Sequence, residues 1–541
     1  MMGTKERDFA PLTAVSLDDL VPRDHFYRHV ERTLDLSFVR DLVRPYYAAG
    51  GRPSIDPIVF FKLQLAMFFE DIRSERLLLR TVADRLSIRW YLGYDLDQPL
   101  PDHSSLTKIR ERYGLDTFRR FFDAIVERCR DAGLVWGKEL YIDATQVDAN
   151  ASLDSLAPRF AVEAHLQALF AGQEVTPSSA ADDGADARPT PVPLPVALAE
   201  AAREDLAQAN AERHAWIESA GRPVREETHG DYQRRSDYVV STTDPDATPM
   251  RRKGGGAHLG YHTHTLVDGG KARIIMATLV TPSEVMENQP MLDLLWHVCF
   301  RWQLHPRQVT GDTTYGTVDN IKAIEDAGMR AYVPLPDWDK RTPFFGQDAF
   351  TYDADRDVLI CPHKEELPRS PSNSTDRYTR YQARAASCNA CPLKARCTSS
   401  SRGRRVSRSV DEAYLERVQG YHDTAAYQKA MRKRAVWLEP LFAEAKDWHG
   451  LRRFRLRGLW KVNSAALLTA SGQNLKRLLS KRGWGRRPWP SGAPGGTLAL
   501  SACLIASLWA HVEALIMVMR DLGRRIRWTA RHHLLHRARA Q

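Results

Sequence analysis

The sequence predicts an α/β protein, with a mixed sheet at its core, a helical region before it and a cysteine-bearing insert within it. Three observations carry that prediction. In LYIDATQVDANAS, Leu140, Ile142 and Ala144 alternate with Asp143 and Thr145, as the two faces of a strand do. GYHTHTLVD and ARIIMATLV alternate in the same way and are joined by Gly269–Gly270, a hairpin signal. Helix and strand patterns then take turns: MLDLLWHVCFRW, Gln308–Val309–Thr310, IKAIEDAG closed by Gly328, and RAYVPL. The order strand, insertion, hairpin, helix, strand, helix, strand specifies a mixed sheet.

At 541 residues the chain has room for two to four domains. Its 43% hydrophobic and 27% charged residues describe a soluble globular protein. Seven cysteines in this length exclude a secreted disulfide framework, and MMGTKERDFAPL lacks the apolar run of a signal peptide, so a cytoplasmic setting is expected. Thr497–Met519 is long and apolar enough to suggest a membrane span. His511 and Glu513 within it are costly in lipid, so a buried or amphipathic helix is expected instead. Net charge is +10, with dense basic runs at Ser401–Arg408 and Arg452–Lys461. Such an excess suits a polyanionic partner, nucleic acid before an acidic membrane surface.

Residues 1–135 read as a helical domain. Pro57 opens IVFFKLQLAMFF, Ser74 caps a helix with Leu78, Val82 and Leu86 on one face, and PDHSS precedes LTKIRERYG. Phe118, Phe121, Phe122, Ile125 and Cys129 then recur at helical spacing, with Cys129 a core thiol. Residues 136–480 form the sheet domain, interrupted at 151–250 and at 335–410. The first interruption carries helical patterns at Phe160–Phe170 and Glu200–Trp216 around the linker TPSSAADDGADARPTPVPLP. Residues 481–541 are a basic extension with one apolar helix.

Asp143 stands out because an unpaired carboxylate in an apolar strand costs several kcal/mol. It either caps a neighbouring loop or ligates a metal with acidic partners from elsewhere. Asp312 follows a strand at the end where open sheets place their chemistry, and could equally cap the next helix. Glu439 precedes Pro440, which puts it at a helix start with proline in the first turn and Lys446 two turns on. Three such carboxylates can hold two Mg²⁺ (or Mn²⁺) ions about 4 Å apart for in-line attack at phosphorus. Glu444, five residues after Glu439, faces another side of that helix. His262 and His264 share a strand face and read as a hydrogen-bonded pair rather than as ligands.

IDATQVDANAS, TGDTTYG, and LEPLFAEAK followed by GLRRFRLRG resemble three blocks of bacterial insertion-sequence transposases with a DDE active site. GRPSIDP, RWYLGYDL and PDHSSLTKIRERYG resemble that family's N-terminal helical domain. The resemblance spans roughly residues 10 to 480 in the expected order. It implies an RNase H-like core and metal-dependent cutting and joining of double-stranded DNA at terminal inverted repeats. It also implies a dimer in the DNA complex, association with the nucleoid, and the triad Asp143, Asp312 and Glu439. Two departures stand out: Ala435 occupies the place where an arginine is common, with Arg434 one residue away, and NSAALL replaces an acidic residue after RGLWKV. The alternative is a transposase-derived DNA-binding protein that no longer cuts.

Cys361-x26-Cys388-x2-Cys391-x5-Cys397 suits a tetrahedral structural zinc, with His363 as a substitute ligand and reduced thiols or an iron–sulfur cluster as the alternatives. Phosphate contacts are expected from Arg434, Lys446, Arg452, Arg453 and Arg455. Tyr315 and Trp437 are candidates to stack on an unpaired base.

Overall fold

Asp56, Ser74 and Asp102 each turn a side-chain oxygen onto the first free N–H groups of a helix, and so fix where three N-terminal helices begin. The computed structural model describes residues 15–48, 50, 54–158, 239–251, 255–336, 343–370 and 377–485. The expected linker, its flanking helical patterns and Thr497–Met519 lie outside these residues. The front of the chain is all helix: α1 (Leu17–Leu20), α2 (Phe26–Thr33), α3 (Phe38–Val43), α4 (Pro57–Phe69), α5 (Glu75–Asp84), α6 (Leu86–Leu92) and α7 (His103–Asp131). Pro57 sits in the first turn of α4, as expected. Leu86 does not share the face of Leu78 and Val82. Arg85 adopts an extended conformation, ends α5 there, and leaves Leu86 exposed at the start of α6. The two helices read from PDHSS and from Phe118 onward are one, α7, bent at Gly114, where φ is 61°.

The sheet strands are β1 (Glu139–Asp148), β2 (Leu156–Pro158), β3 (Val239–Ser241), β4 (Thr248–Arg251), β5 (Ala257–Asp268), β6 (Ile275–Pro282), β7 (Gln308–Thr310) and β8 (Arg330–Tyr332). Helices α8 (Met291–Trp302) and α9 (Val318–Asp326) connect β6 to β7 and β7 to β8. β1 is central, antiparallel to β5 on one side and parallel to β7 on the other; β8 extends β7 in parallel. β4 and β6 lie end to end along the far edge of β5, against residues 257–260 and 261–267. The mixed sheet is therefore as expected, but the insertion ends earlier than position 250, because β4 already belongs to the sheet. β2 and β3 pair with each other, apart from that sheet. Three- and four-residue strands are too short for an alternation to show.

The second insert builds a separate small core from β9 (Thr351–Asp353), β10 (Val358–Ile360), β11 (Glu366–Pro368), β12 (Tyr378–Gln382), β13 (Arg405–Ser409) and the short helices α10 (Ala385–Asn389) and α11 (Lys394–Cys397). Helices α12 (Glu412–Tyr421), α13 (Ala425–Trp448) and α14 (Leu459–Lys481) complete the chain up to Trp484, which is one compact unit. Phe118, Phe121, Ile125 and Cys129 of α7 share a hydrophobic core with Leu140 and Ile142 of β1 and with Leu467, Leu475 and Leu478 of α14. Gly472 lets α14 approach α4: a Cβ there would lie 2.5 Å from the Phe68 ring. The helical front of the chain and the sheet are thus welded by apolar burial rather than joined by a tether. Among the described residues no helix is long and apolar enough to cross a membrane.

Candidate active site

Residues 139, 141 and 143 share one face of β1, and α13 lays two consecutive cations across it. Lys433 Nζ donates to Glu139 Oε2 at 2.5 Å. Arg434 Nη2 donates to Asp143 Oδ2 at 2.8 Å, and the same nitrogen is 3.6 Å from Asp312 Oδ2. Asp312 enters from the neighbouring parallel strand, two residues beyond the end of β7. It also caps the next turn, accepting from Thr314 N at 2.8 Å, as the capping reading expects. The two aspartates differ in exposure: the Asp143 side chain is 13% exposed, that of Asp312 32%. Burial raises the Asp143 carboxyl to about 6, against the pull of Arg434 and the Ala144 N–H, with the Asp312 charge adding to the rise.

A single cationic atom within reach of both carboxylates shows that Asp143 and Asp312 can share a cation. Their oxygen chemistry fits a hard divalent ion. Among the described residues, no three His, Cys, Asp or Glu side chains stand ready to hold a metal as they are.

Glu439 departs from expectation. Pro440 does not open a helix; it lies inside α13, which runs unbroken from Ala425 to Trp448. The buried stripe Tyr427, Ala430, Leu438, Leu441 and Ala445 holds the helix together through the proline. The Val436 carbonyl, which Pro440 has no N–H to serve, is met by Arg273 Nη1 at 3.5 Å. Glu439 is exposed, about 140° around the helix from Arg434, and the structure does not bring it to the two aspartates. Glu444 is engaged elsewhere. Burial pushes its carboxyl up, but His449, Lys476 and Arg477 outweigh this and hold it well below the usual range, tying α13 to α14. Lys446 is half-buried on α13, two turns beyond Glu439 and on its side of the helix.

Tyr315 is not placed to meet a base. It is 0% exposed, tucked against Gly311, where a Cβ would lie 2.9 Å from its ring. Burial and then the charges of Asp143, Glu287 and Asp312 push its hydroxyl pKa up. Trp437 is also committed, donating Nε1–H to Gly270 O at 2.9 Å. Among the arginines, Arg452 and Arg453 are exposed, Arg452 beside Asp447. Arg455 instead reaches Glu75 of α5 at 3.2 Å, beside the buried Arg110–Glu75 pair. Its side chain is 36% exposed, and the ion pair makes it a strut between α5 and this segment.

Glu287 was not singled out from the sequence. It lies in the β6–α8 loop, where no motif or periodicity marks it; the only available signal was a carboxylate in a loop leaving the sheet. Burial and then the charges of Asp312 and Asp143 raise its carboxyl to about 7. His262 and His264 do share a face, with rings 6.2 Å apart. Each bonds through one nitrogen only, His262 Nδ1 to Val285 O at 3.1 Å and His264 Nε2 to Thr281 Oγ1 at 2.9 Å.

In the insert, Cys361, Cys388, Cys391 and Cys397 line one cavity of about 30 Å³, together with His363. All four are free thiols. Cys361 Sγ accepts from Glu365 N at 3.3 Å, and Cys388 Sγ accepts from Arg404 N at 3.2 Å.

A family profile described as a transposase domain (DUF772) matches residues 15–112, and one described as a transposase DDE domain matches residues 360–479. The first covers most of the N-terminal helices; the second covers the cysteines, α13 with Glu439, and α14. Asp143, Glu287 and Asp312 lie between the two matches. Comparison with curated proteins and with solved structures gives no match. The mixed sheet is the RNase H-like core that a DDE domain requires. With a match to a transposase domain at its front and a match to a transposase DDE domain beyond the strands that carry Asp143 and Asp312, the chain is similar at both ends to transposases, and the two matches support an insertion-sequence DDE transposase.

Proposed function

We propose that this transposase binds the terminal inverted repeats of its element and catalyses divalent-metal-dependent DNA cleavage and strand transfer. The observation that carries the reading is the convergence of Asp143 and Asp312, from parallel strands, on one guanidinium nitrogen. Glu439, exposed on α13, is the third carboxylate that the family resemblance assigns. When bound between these residues, Mg²⁺ or Mn²⁺ supplies Lewis acidity to the attacking and leaving oxygens. The protein's own part is to fix the acidic ligands on rigid strands and to bring phosphates close through exposed cations such as Arg452 and Arg453. The complex with two DNA ends is a homodimer in this reading. Asp143→Asn should abolish strand transfer while leaving end binding largely intact, and joining at the wild-type rate by that variant would defeat the proposal. A DNA-binding relative without catalysis would instead show no metal-dependent nicking of donor plasmid by the wild-type protein.

The four cysteines are the proposed ligands of a structural zinc. Four thiols around one small cavity, two of them already accepting backbone N–H bonds, form the donor set that zinc takes. Metal analysis should find one zinc per chain, lost in Cys391→Ser; zinc-free, equally stable wild-type protein would remove the site.

A further inference from the structure

Where the N-terminal helices meet the segment between α13 and α14, the structure leaves a pocket of about 130 Å³. That is roughly ten times the room a single buried water needs. Its walls come from two parts of the chain. Gln64 of α4, Arg73 of the α4–α5 loop and Arg110 of α7 line one side; Gly450, Arg453 and Arg455 line the other. The joint around it is fixed. The His449 ring stacks on Phe68 with centroids 3.7 Å apart, and its Nδ1 donates to Phe68 O at 3.1 Å. Arg73 lies against Gly450, where a Cβ would sit 3.5 Å from the Arg73 Nε.

Donors outnumber acceptors in this pocket. Arg110 and Arg455 share one carboxylate, that of Glu75. Arg73 pairs with Asp71 at 3.3 Å. Arg453 is exposed and has no carboxylate partner among the described residues. Four guanidiniums thus answer to two carboxylates, an excess of two positive charges. Gln64 adds a neutral donor and is only 6% exposed. Its Oε1 accepts from Arg110 Nη2 at 3.5 Å, and its Nε2 has no hydrogen-bond partner. An unmet buried donor beside surplus positive charge calls for an occupant that accepts hydrogen bonds and is itself negative. A water would meet the amide but leave the charge; a phosphate oxygen meets both.

A phosphate on a polymer suits the surroundings better than a lone ion. Arg73 is 56% exposed at its side chain, and the exposed Arg452 and Arg457 continue the cationic surface away from Arg453. The backbone beside Arg453 is also pinned to β1, the strand that carries Asp143. Asp148 N donates to Arg452 O at 3.1 Å, and Phe454 N donates to Asp148 O at 2.9 Å. A phosphate held between Gln64 and Arg453 would therefore tie the N-terminal helices to that strand.

We propose that this pocket takes one backbone phosphate of the bound DNA. Gln64, Arg73 and Arg453 are its donors, and Arg110 and Arg455 hold its floor through Glu75. The proposal rests on the DNA-binding part of the reading above and names one contact of it.

Two measurements on the full-length protein test it. The first is melting in inorganic phosphate against chloride at constant ionic strength. Phosphate should raise the Tm of wild type, and Gln64→Leu should lose most of that rise. The second is fluorescence anisotropy on end-sequence duplexes, each carrying a single uncharged methylphosphonate linkage. At least one linkage should weaken wild-type binding about tenfold, and the same linkage should cost Gln64→Leu less than about twofold, because its partner is already gone. Arg73→Ala, at an exposed position, should behave in the same way and serves if the leucine variant does not fold. If the variants lose the phosphate-induced rise but keep the wild-type linkage profile, the pocket takes a free anion and the DNA assignment is overturned. If both measurements match wild type, the pocket is not a phosphate site, while the DNA-binding reading stands. Wild-type protein that fails to bind end-sequence DNA brings down both.

Discussion

The Arg434 guanidinium and the Asp143 carboxylate form a 2.8 Å ion pair where the proposed metal would bind, and the same nitrogen lies 3.6 Å from Asp312. Arginine cannot give up its proton, so it stands as a permanent internal counter-ion that an incoming cation must displace or share with.

Arg434→Met should therefore separate two effects. In EDTA the aspartates lose their partner and repel, and Tm should fall. With Mg²⁺ present the variant should gain more than wild type does, because the ion meets no competitor. Thermal melting with and without Mg²⁺ checks this, and an equal Mg²⁺ response in the two proteins would refute the competition.

The sheet edge gives a second expectation. Asn463 and Asn474 of α14 each accept from and donate to a single residue of β6, Val280 and Ile275 respectively, so side-chain amides complete the ladder of an edge strand. The geometry follows from two rises. Eleven residues of helix and five of strand both span about 16.5 Å. Asn474→Leu leaves the Ile275 N–H and C=O buried without partners and should cost about 2–4 kcal/mol in urea unfolding. A loss under about 1 kcal/mol would mean that water replaces the amide.

These asparagines show where the sequence is legible and where it is not. Ser74 could be read as a cap, and PDHSS as a helix start, because capping is local. Asp143 and Asp312 could be read because a carboxylate among apolar strand residues is conspicuous by itself. Asn463 falls in the NSAALL segment, noticed only as a departure from the family, and its meaning depends on a strand 183 positions earlier. Pro440 misled for the same reason: the local signal for a helix start is overruled by the buried stripe of α13. Glu287 is acidic in a loop without a motif, and only the tertiary fold sets His262 Nε2 3.8 Å from it.

His264 makes stability depend on pH. It is fully buried, and its pKa is lowered from 6.5 to about 3, by burial first and by His262 second. A base whose folded pKa is depressed stays neutral in the fold while the unfolded chain takes up a proton. The stability it permits is complete above about 6.5 and is lost as pH falls toward 3. Between pH 6.5 and 5 the loss is about 2 kcal/mol. His264→Gln, which cannot titrate, should be less stable than wild type at pH 7, yet lose about 2 kcal/mol less between pH 7 and pH 5. Parallel urea midpoints across that range would show that His264 titrates normally.

Arg455 and Arg453, two residues apart in one basic run, should behave in opposite ways. Arg455 is bound to Glu75, whose carboxyl burial would raise but which Arg110 and Arg455 together hold below its usual value. Removing it leaves a buried carboxylate with one partner fewer and loosens the joint between α5 and the segment before α14. Arg453 is exposed. Arg455→Ala should lower Tm by several degrees and leave the salt dependence of DNA binding unchanged. Arg453→Ala should leave Tm within about a degree and reduce the slope of log affinity against log salt by about 1, weakening binding alike for all sequences. The discriminating measurement is that slope, taken by fluorescence anisotropy on end-sequence DNA. A drop in slope for Arg455→Ala would return that residue to the phosphate-binding surface from which its ion pair with Glu75 removes it.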